Sequence, residues 1–249
     1  MNEIIPVREI YWNIQGHVPF AQTLLYLLAI TSIGVMSYGI WRDARRWRLG
    51  RPARRDSKLI SRFGEFVQQI FGQKRVLRDR LPGIMHTMIF YGFLTLFIGT
   101  DIIALEEDFT IPTLGPDAGK IIRGGFYNFY EFTLDTLGLV FLAGLIWAGY
   151  RRYVTRPDRL DNRNTDWWVL GAMLYIGFSG YWLGGLRILN QEIGGVRVME
   201  QGWAALSWVA YGHALLYRAL GLEGAAGLIL HRILWMLHMI VTFAFVASI

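Results

Sequence analysis

The sequence predicts an all-α integral membrane protein with five transmembrane helices. Of its 249 residues, 53% are hydrophobic and 15% aromatic, including ten tryptophans. A soluble domain of this length cannot bury so much apolar side chain, whereas a small polytopic membrane protein needs it. Five separate stretches are apolar over about the 20 residues that a bilayer crossing requires. The connections between them alternate in charge, as the loops of a multi-pass protein do.

The spans fall at about 18–41, 83–105, 132–154, 167–189 and 227–249. Between the first two, residues 42–82 carry 13 Lys/Arg against four Asp/Glu, opening with RDARRWRLGRPARR. Residues 101–131 carry six acidic and two basic side chains, and RRYVTRPDRLDNRNTD before the fourth span is basic again. Short Lys/Arg-rich loops stay in the cytoplasm. The sequence therefore predicts an outer N-terminus, inner loops at 42–82 and 151–166, and a cytoplasmic C-terminus, in the cytoplasmic membrane. MNEIIPVREIYW lacks a basic segment followed by an apolar core and a small-residue cleavage site. No cleaved signal peptide is expected, and the first span serves as an anchor.

Two further segments read as helices that do not cross. In SKLISRFGEFVQQIF, Leu59, Ile60, Phe63, Phe66, Val67, Ile70 and Phe71 recur at helical spacing with basic residues opposite, which predicts a helix in the cytoplasmic interface. Glu200–Leu220 reads as an outer-surface helix capping the bundle. A sixth crossing there would leave only a six-residue turn before the last span. The last span meets no polar flank or helix stop before Ile249, so this membrane domain is expected to be the front part of a longer polypeptide.

There is no cysteine. That excludes disulfides, covalent haem attachment through CxxCH and a thiolate-held iron–sulfur cluster within this chain. Five histidines are present. His231 and His238 lie seven residues apart in the last span, close to two turns, so both leave one helix face roughly 10 Å apart. An imidazole in a membrane span is a functional-site candidate by default. In an apolar, aromatic bundle, haem iron is the metal that neutral imidazole suits. The competing reading is a histidine satisfied by a backbone carbonyl. His86 lies early in span two near the inner face, while His17 and His213 lie at the outer side. Two axial ligands of one iron need similar depth. His86 and His238 differ by roughly 15 Å on these span boundaries, whereas His17, His213 and His231 match better in height.

In span four, Gly177, Gly180 and Gly184 share a face, a spacing that permits close helix packing and would also leave room for a porphyrin. Asp101, Arg187 and Arg197 fall near the outer boundary, where they are solvated or could hydrogen-bond a quinone head group. Only the last span, with Arg232, reads as carrying a buried charge, and no inverted repeat is visible. Both points argue against a transporter.

With those residues in place, the chain resembles the membrane cytochrome b family that includes the gamma subunit of respiratory nitrate reductase and the membrane subunits of heterodisulfide reductase-like complexes. The likeness is strongest to the N-terminal membrane domain of heterodisulfide reductase-related iron–sulfur proteins. It rests on five spans, REIYWNI, the basic WRLG stretch, HTMIFYGFLTLFIGTD, QGWAALSW and LHRILWMLHMIVTFAF, in that order over nearly the whole chain. The resemblance implies one or two b-type haems with histidine ligation, and electron transfer between membrane quinone or quinol and a cytoplasmic iron–sulfur subunit or fused C-terminal domain. Membrane lipid is a further partner, and nucleic acid is not. His86 matches the family's first ligand in span two and His238 the first in span five; these are the expected haem-iron ligands. The family's other two positions are Leu96 here and a site beyond Ile249, which leaves His17 or His231 as substitute ligands. The inner haem would take its second ligand from beyond Ile249. The alternative function is a haem-free membrane anchor or scaffold with structural histidines.

Overall fold

The computed structural model describes residues 5–50, 59–157 and 164–249. The basic residues at 51–58 and 158–163, on which part of the inside–outside expectation rests, lie outside the described residues. Elsewhere the chain is helical, apart from one short hairpin, the connecting turns and an extended N-terminal segment. Five helices are long and apolar enough to cross a membrane: α1 (Ala21–Trp47), α3 (Arg80–Leu105), α5 (Gly124–Tyr150), α6 (Asn164–Asn190) and α8 (Ala225–Ser248). Between α1 and α3 lies α2 (Leu59–Gly72), and α7 (Trp208–Ala219) precedes α8.

Two crossing helices run further than hydropathy indicates. From α3 the chain continues through a π turn, Glu106–Thr110, into the single turn α4 (Ile111–Leu114). Likewise α5 begins at Gly124, well before the expected 132, and continues through a π turn to Thr155. Charge made these ends read as loop. The acids are in fact built into the helices and satisfied there. Glu106, fully buried, accepts hydrogen bonds from the backbone N–H groups of Ile121 (2.7 Å) and Ile122 (2.5 Å) and pairs with Lys120 Nζ at 3.0 Å. A buried carboxylate is tolerated only when paired and hydrogen-bonded in this way.

Along the bundle α3 packs on α5, α5 on α6, α6 on α7 and α8, and α8 on α1. The α3–α5 contact is close because Gly92 and Gly99 face it. A Cβ on Gly92 would stand 2.5 Å from Phe141 Cβ, and one on Gly99 2.7 Å from a Leu134 methyl. Small residues let helices approach where lipid supplies no hydrophobic drive between them. The main apolar core lies between α5, α6 and α7, around Phe141, Leu142, Leu145, Ile188, Leu189, Ala210 and Ala214. By contrast α1 buries only Ala21 and Ser32.

One end of the bundle is tied together by the N-terminal segment. Pro6 accepts from Gly124 N–H (2.8 Å), Val7 bridges Arg123, and Glu9 Oε2 accepts from Gln191 Nε2 (3.1 Å). Tyr26 on α1 donates to Asp108 (2.5 Å), and burial raises the neighbouring Tyr11 phenol above its ordinary pKa. At the opposite end Trp168 Nε1 donates to Ser248 Oγ at 3.2 Å, joining α6 to α8.

The stretch expected as one helix over 200–220 is instead two 3-10 turns followed by a shorter helix. After the hairpin β1 (Glu192–Ile193) and β2 (Val196–Arg197), a first 3-10 turn packs on α6 and a second on α5, and α7 starts only at Trp208. The reason is a cap from another helix. Asp135 of α5 accepts from the first amides of α7, Val209 N–H (2.6 Å) and Ala210 N–H (3.2 Å). Those are orphan donors of a helix start, and a carboxylate there also suits the helix dipole.

Candidate functional site

The site lies on α8 and on the buried polar residues that α5, α6 and the N-terminal segment bring to it. His238 faces α6. Its Nδ1 lies 2.7 Å from Ser179 Oγ, and Ser179 is fully buried. That hydroxyl has one proton. It also lies 2.6 Å from the carbonyl of Tyr175 and 3.2 Å from that of Ile176, both of which can only accept. The serine proton therefore goes to the backbone, and the imidazole must be the donor to Oγ. The network assigns His238 as the Nδ1–H tautomer, leaving the Nε2 lone pair unprotonated.

Seven residues away the assignment reverses. His231 is buried, with Nδ1 3.4 Å from Asn13 Nδ2 and its ring edge-on to Trp12 at 4.9 Å. The orientation of the Asn13 amide is not free. Its nitrogen donates to the carbonyl of Leu228 (2.8 Å), and its oxygen accepts from Arg232 Nε (3.0 Å). The group facing His231 is thus a donor, so Nδ1 accepts and Nε2 carries the proton. Asn13 itself sits at φ 58, a left-handed conformation that asparagine tolerates.

Beside His231 runs a charge cluster that the sequence did not signal. Glu131 on α5 pairs with Arg8 (2.9 Å) and with Arg187 on α6 (3.2 Å), and Ser207 donates to its other oxygen (3.0 Å). A second guanidinium nitrogen of Arg187 donates to Tyr127 OH at 3.2 Å. Glu131, Asp135 and Arg187 are all buried, so buried charge is not confined to the last span. Arg187, expected as an interfacial charge, is an internal one because Glu131 and Tyr127 replace its water. A possible signal was YEFTLD, two acids four residues apart within an otherwise apolar run.

The other expected residues are placed as follows. His86 is exposed on α3, its ring stacked on Phe90 at 6.4 Å. His17 is exposed and donates from Nδ1 to the carbonyl of Gln15 (3.1 Å). His213 donates to the carbonyl of Val209 (2.9 Å) and stacks on Tyr181 at 6.1 Å. Helix contacts fix relative height. Gly177, one half-turn from Ser179, meets Leu142, and Gly92 meets the adjacent Phe141. His238 is therefore near the level of Gly92, and His86, six residues earlier on α3, lies roughly 10 Å nearer the opposite end at 1.5 Å per residue. The structure does not bring His86 and His238 to one level. Among the described residues no group of three or more His, Cys, Asp or Glu converges as a metal site. Of the span-four glycines, Gly177 and Gly184 are packing positions, against Leu142 and Ala210, while a Cβ on Gly180 would meet nothing within 4 Å.

Fold and site together define a multi-pass all-α membrane protein with a buried and a half-buried imidazole on its last crossing helix. No family model and no solved structure matches the chain. It is 29% identical over 248 residues to the EtfAB:quinone oxidoreductase of Syntrophomonas wolfei, covering 98% of this chain and 33% of the relative. To the probable iron–sulfur-binding oxidoreductase FadF of Bacillus subtilis it is 27% identical over 237 residues, covering 92% of this chain and 30% of the relative. The chain spans about a third of the length of these curated relatives. By name, both relatives are oxidoreductases.

Proposed function

We propose that this chain is the membrane domain of a quinone-linked oxidoreductase, holding b-type haem and passing electrons between membrane quinone and an iron–sulfur partner. The observation that carries the reading is the state of His238: a histidine on a membrane-crossing helix, its Nδ1 engaged and its Nε2 lone pair left for a metal. Metal-binding imidazoles are commonly oriented by such a bond at the other ring nitrogen. Haem would supply a one-electron carrier within the bilayer. The relatives' names, one referring to quinone and the other to iron–sulfur binding, support the two ends of the route.

In this reading His238 is an axial ligand, and His86, at a different height, serves a separate site nearer the cytoplasm. The resemblance to the nitrate reductase gamma and heterodisulfide reductase families supports the same assignment. Of the two candidates for completing the upper site, His17 keeps that role, while His231, whose Nδ1 faces the Asn13 amide, is suited to donate a hydrogen bond from Nε2. The N-terminus lies outside, the basic connections and the C-terminus lie in the cytoplasm, and α2 lies in the inner interface. Charge distribution supports that orientation.

The test is the optical spectrum of the purified protein, oxidised and dithionite-reduced, with haem measured per chain. A reduced b-type spectrum that is lost in His238→Ala is expected. A parent protein without haem would leave the haem-free anchor as the function.

A further inference from the structure

We infer that Ser179 is a positioning residue for the metal-binding histidine of α8: it fixes the His238 tautomer and strengthens Nε2 as a donor to iron. The inference rests on the proposed haem function and adds to it a residue that no comparison assigns. Ser179 is fully buried on α6, and its single proton is committed to the carbonyl of Tyr175 at 2.6 Å. Its remaining capacity is as an acceptor, and the group aimed at it is His238 Nδ1 at 2.7 Å. A histidine free of such a bond divides itself between two tautomers, only one of which presents a lone pair at Nε2. Here the choice is made before any metal arrives.

The same bond has an electronic consequence. Drawing the Nδ1 proton towards an oxygen raises electron density on the ring and the basicity of Nε2. A more basic axial ligand favours ferric over ferrous iron, so the bond lowers the reduction potential of the site. A neutral hydroxyl does this without adding charge to the span, where an unpaired carboxylate would be costly. The backbone hydrogen bond alone would require only that Ser179 satisfy its own helix. The imidazole at 2.7 Å is what a merely structural serine does not explain.

The experiment is a redox titration of the full chain in detergent, comparing the parent with Ser179→Ala and Ser179→Thr. Nitrogen-15 shifts of the histidine rings are recorded on the haem-free protein. An upward shift of the midpoint potential in Ser179→Ala, with Ser179→Thr near the parent, is expected. The Nδ1–H signature of His238 should be present in the parent and lost in Ser179→Ala. If Ser179→Ala fails to hold haem, the ring shifts decide. A His238 that has become the Nε2–H tautomer supports the assignment, and one still Nδ1–H overturns it. An unchanged or lowered potential in Ser179→Ala overturns the positioning role while leaving the haem function standing. A parent chain without haem removes both.

Discussion

His238 and His231 share one face of α8, yet their surroundings give them opposite roles. The hydroxyl beside His238 has spent its proton, so the ring donates and keeps a lone pair. The amide beside His231 has a proton to give, so the ring accepts and keeps an N–H. One ring keeps a lone pair at Nε2 and the other an N–H. The helix spacing is identical for both. What differs is a partner contributed from elsewhere in the chain, Ser179 from α6 and Asn13 from the N-terminal segment. The two regions also differ in charge, with the Glu131 cluster lying at the His231 end.

The largest effect that would break this comparison is on haem itself. His238→Ala should lose most of the bound haem, while His231→Ala keeps it; haem per protein measures both. Equal loss in the two variants would show that the tautomers do not separate their roles. At the His231 end, Glu131→Gln leaves Arg8 and Arg187 facing each other without their shared counter-charge. A cost of about 3–5 kcal/mol is expected for breaking a buried pair from one side, read as a fall in detergent unfolding stability. If stability changes by less than about 1 kcal/mol, the cluster does not hold this end together.

A smaller change tests packing away from either imidazole, in the seam between α3 and α5. Gly92→Ala places a Cβ 2.5 Å from Phe141 Cβ, and overpacking of this kind costs about 1–3 kcal/mol. The same assay should show a loss, and an unchanged midpoint would mean that α3 shifts freely on α5. Smallest is Asn13→Ala, which removes hydrogen bonds to Leu228, His231 and Arg232. The expected cost is about 1–2 kcal/mol. Its more telling readout is the His231 ring, whose nitrogen-15 shifts should move from the Nε2–H form towards a mixture.

Much of the fold was legible from hydropathy because a bilayer imposes a length on every crossing. All five stretches correspond to helices of crossing length. Their ends were less legible, and the reason is specific. Glu106 and Glu131 looked like loop acids because a charge in an apolar run is costly unless paired. Their partners, Lys120 with the Ile121–Ile122 amides, and Arg8 with Arg187, are remote or carry no sequence signal of pairing. The α7 boundary was hidden for the same reason, since its cap, Asp135, comes from another helix.

By itself the sequence determined which segments are apolar enough to cross, which connections carry basic charge, that no cysteine chemistry is available, and that two histidines share a face of the last helix. These are properties of spacing and composition, and they need no knowledge of neighbours. Tertiary structure alone decided which charges are internal, how the 198–219 segment packs on α5 and α6, and which nitrogen of each imidazole holds its proton. A proton's position depends on the donor or acceptor within about 3 Å, and for His238 and His231 those atoms come from residues 59 and 218 positions away.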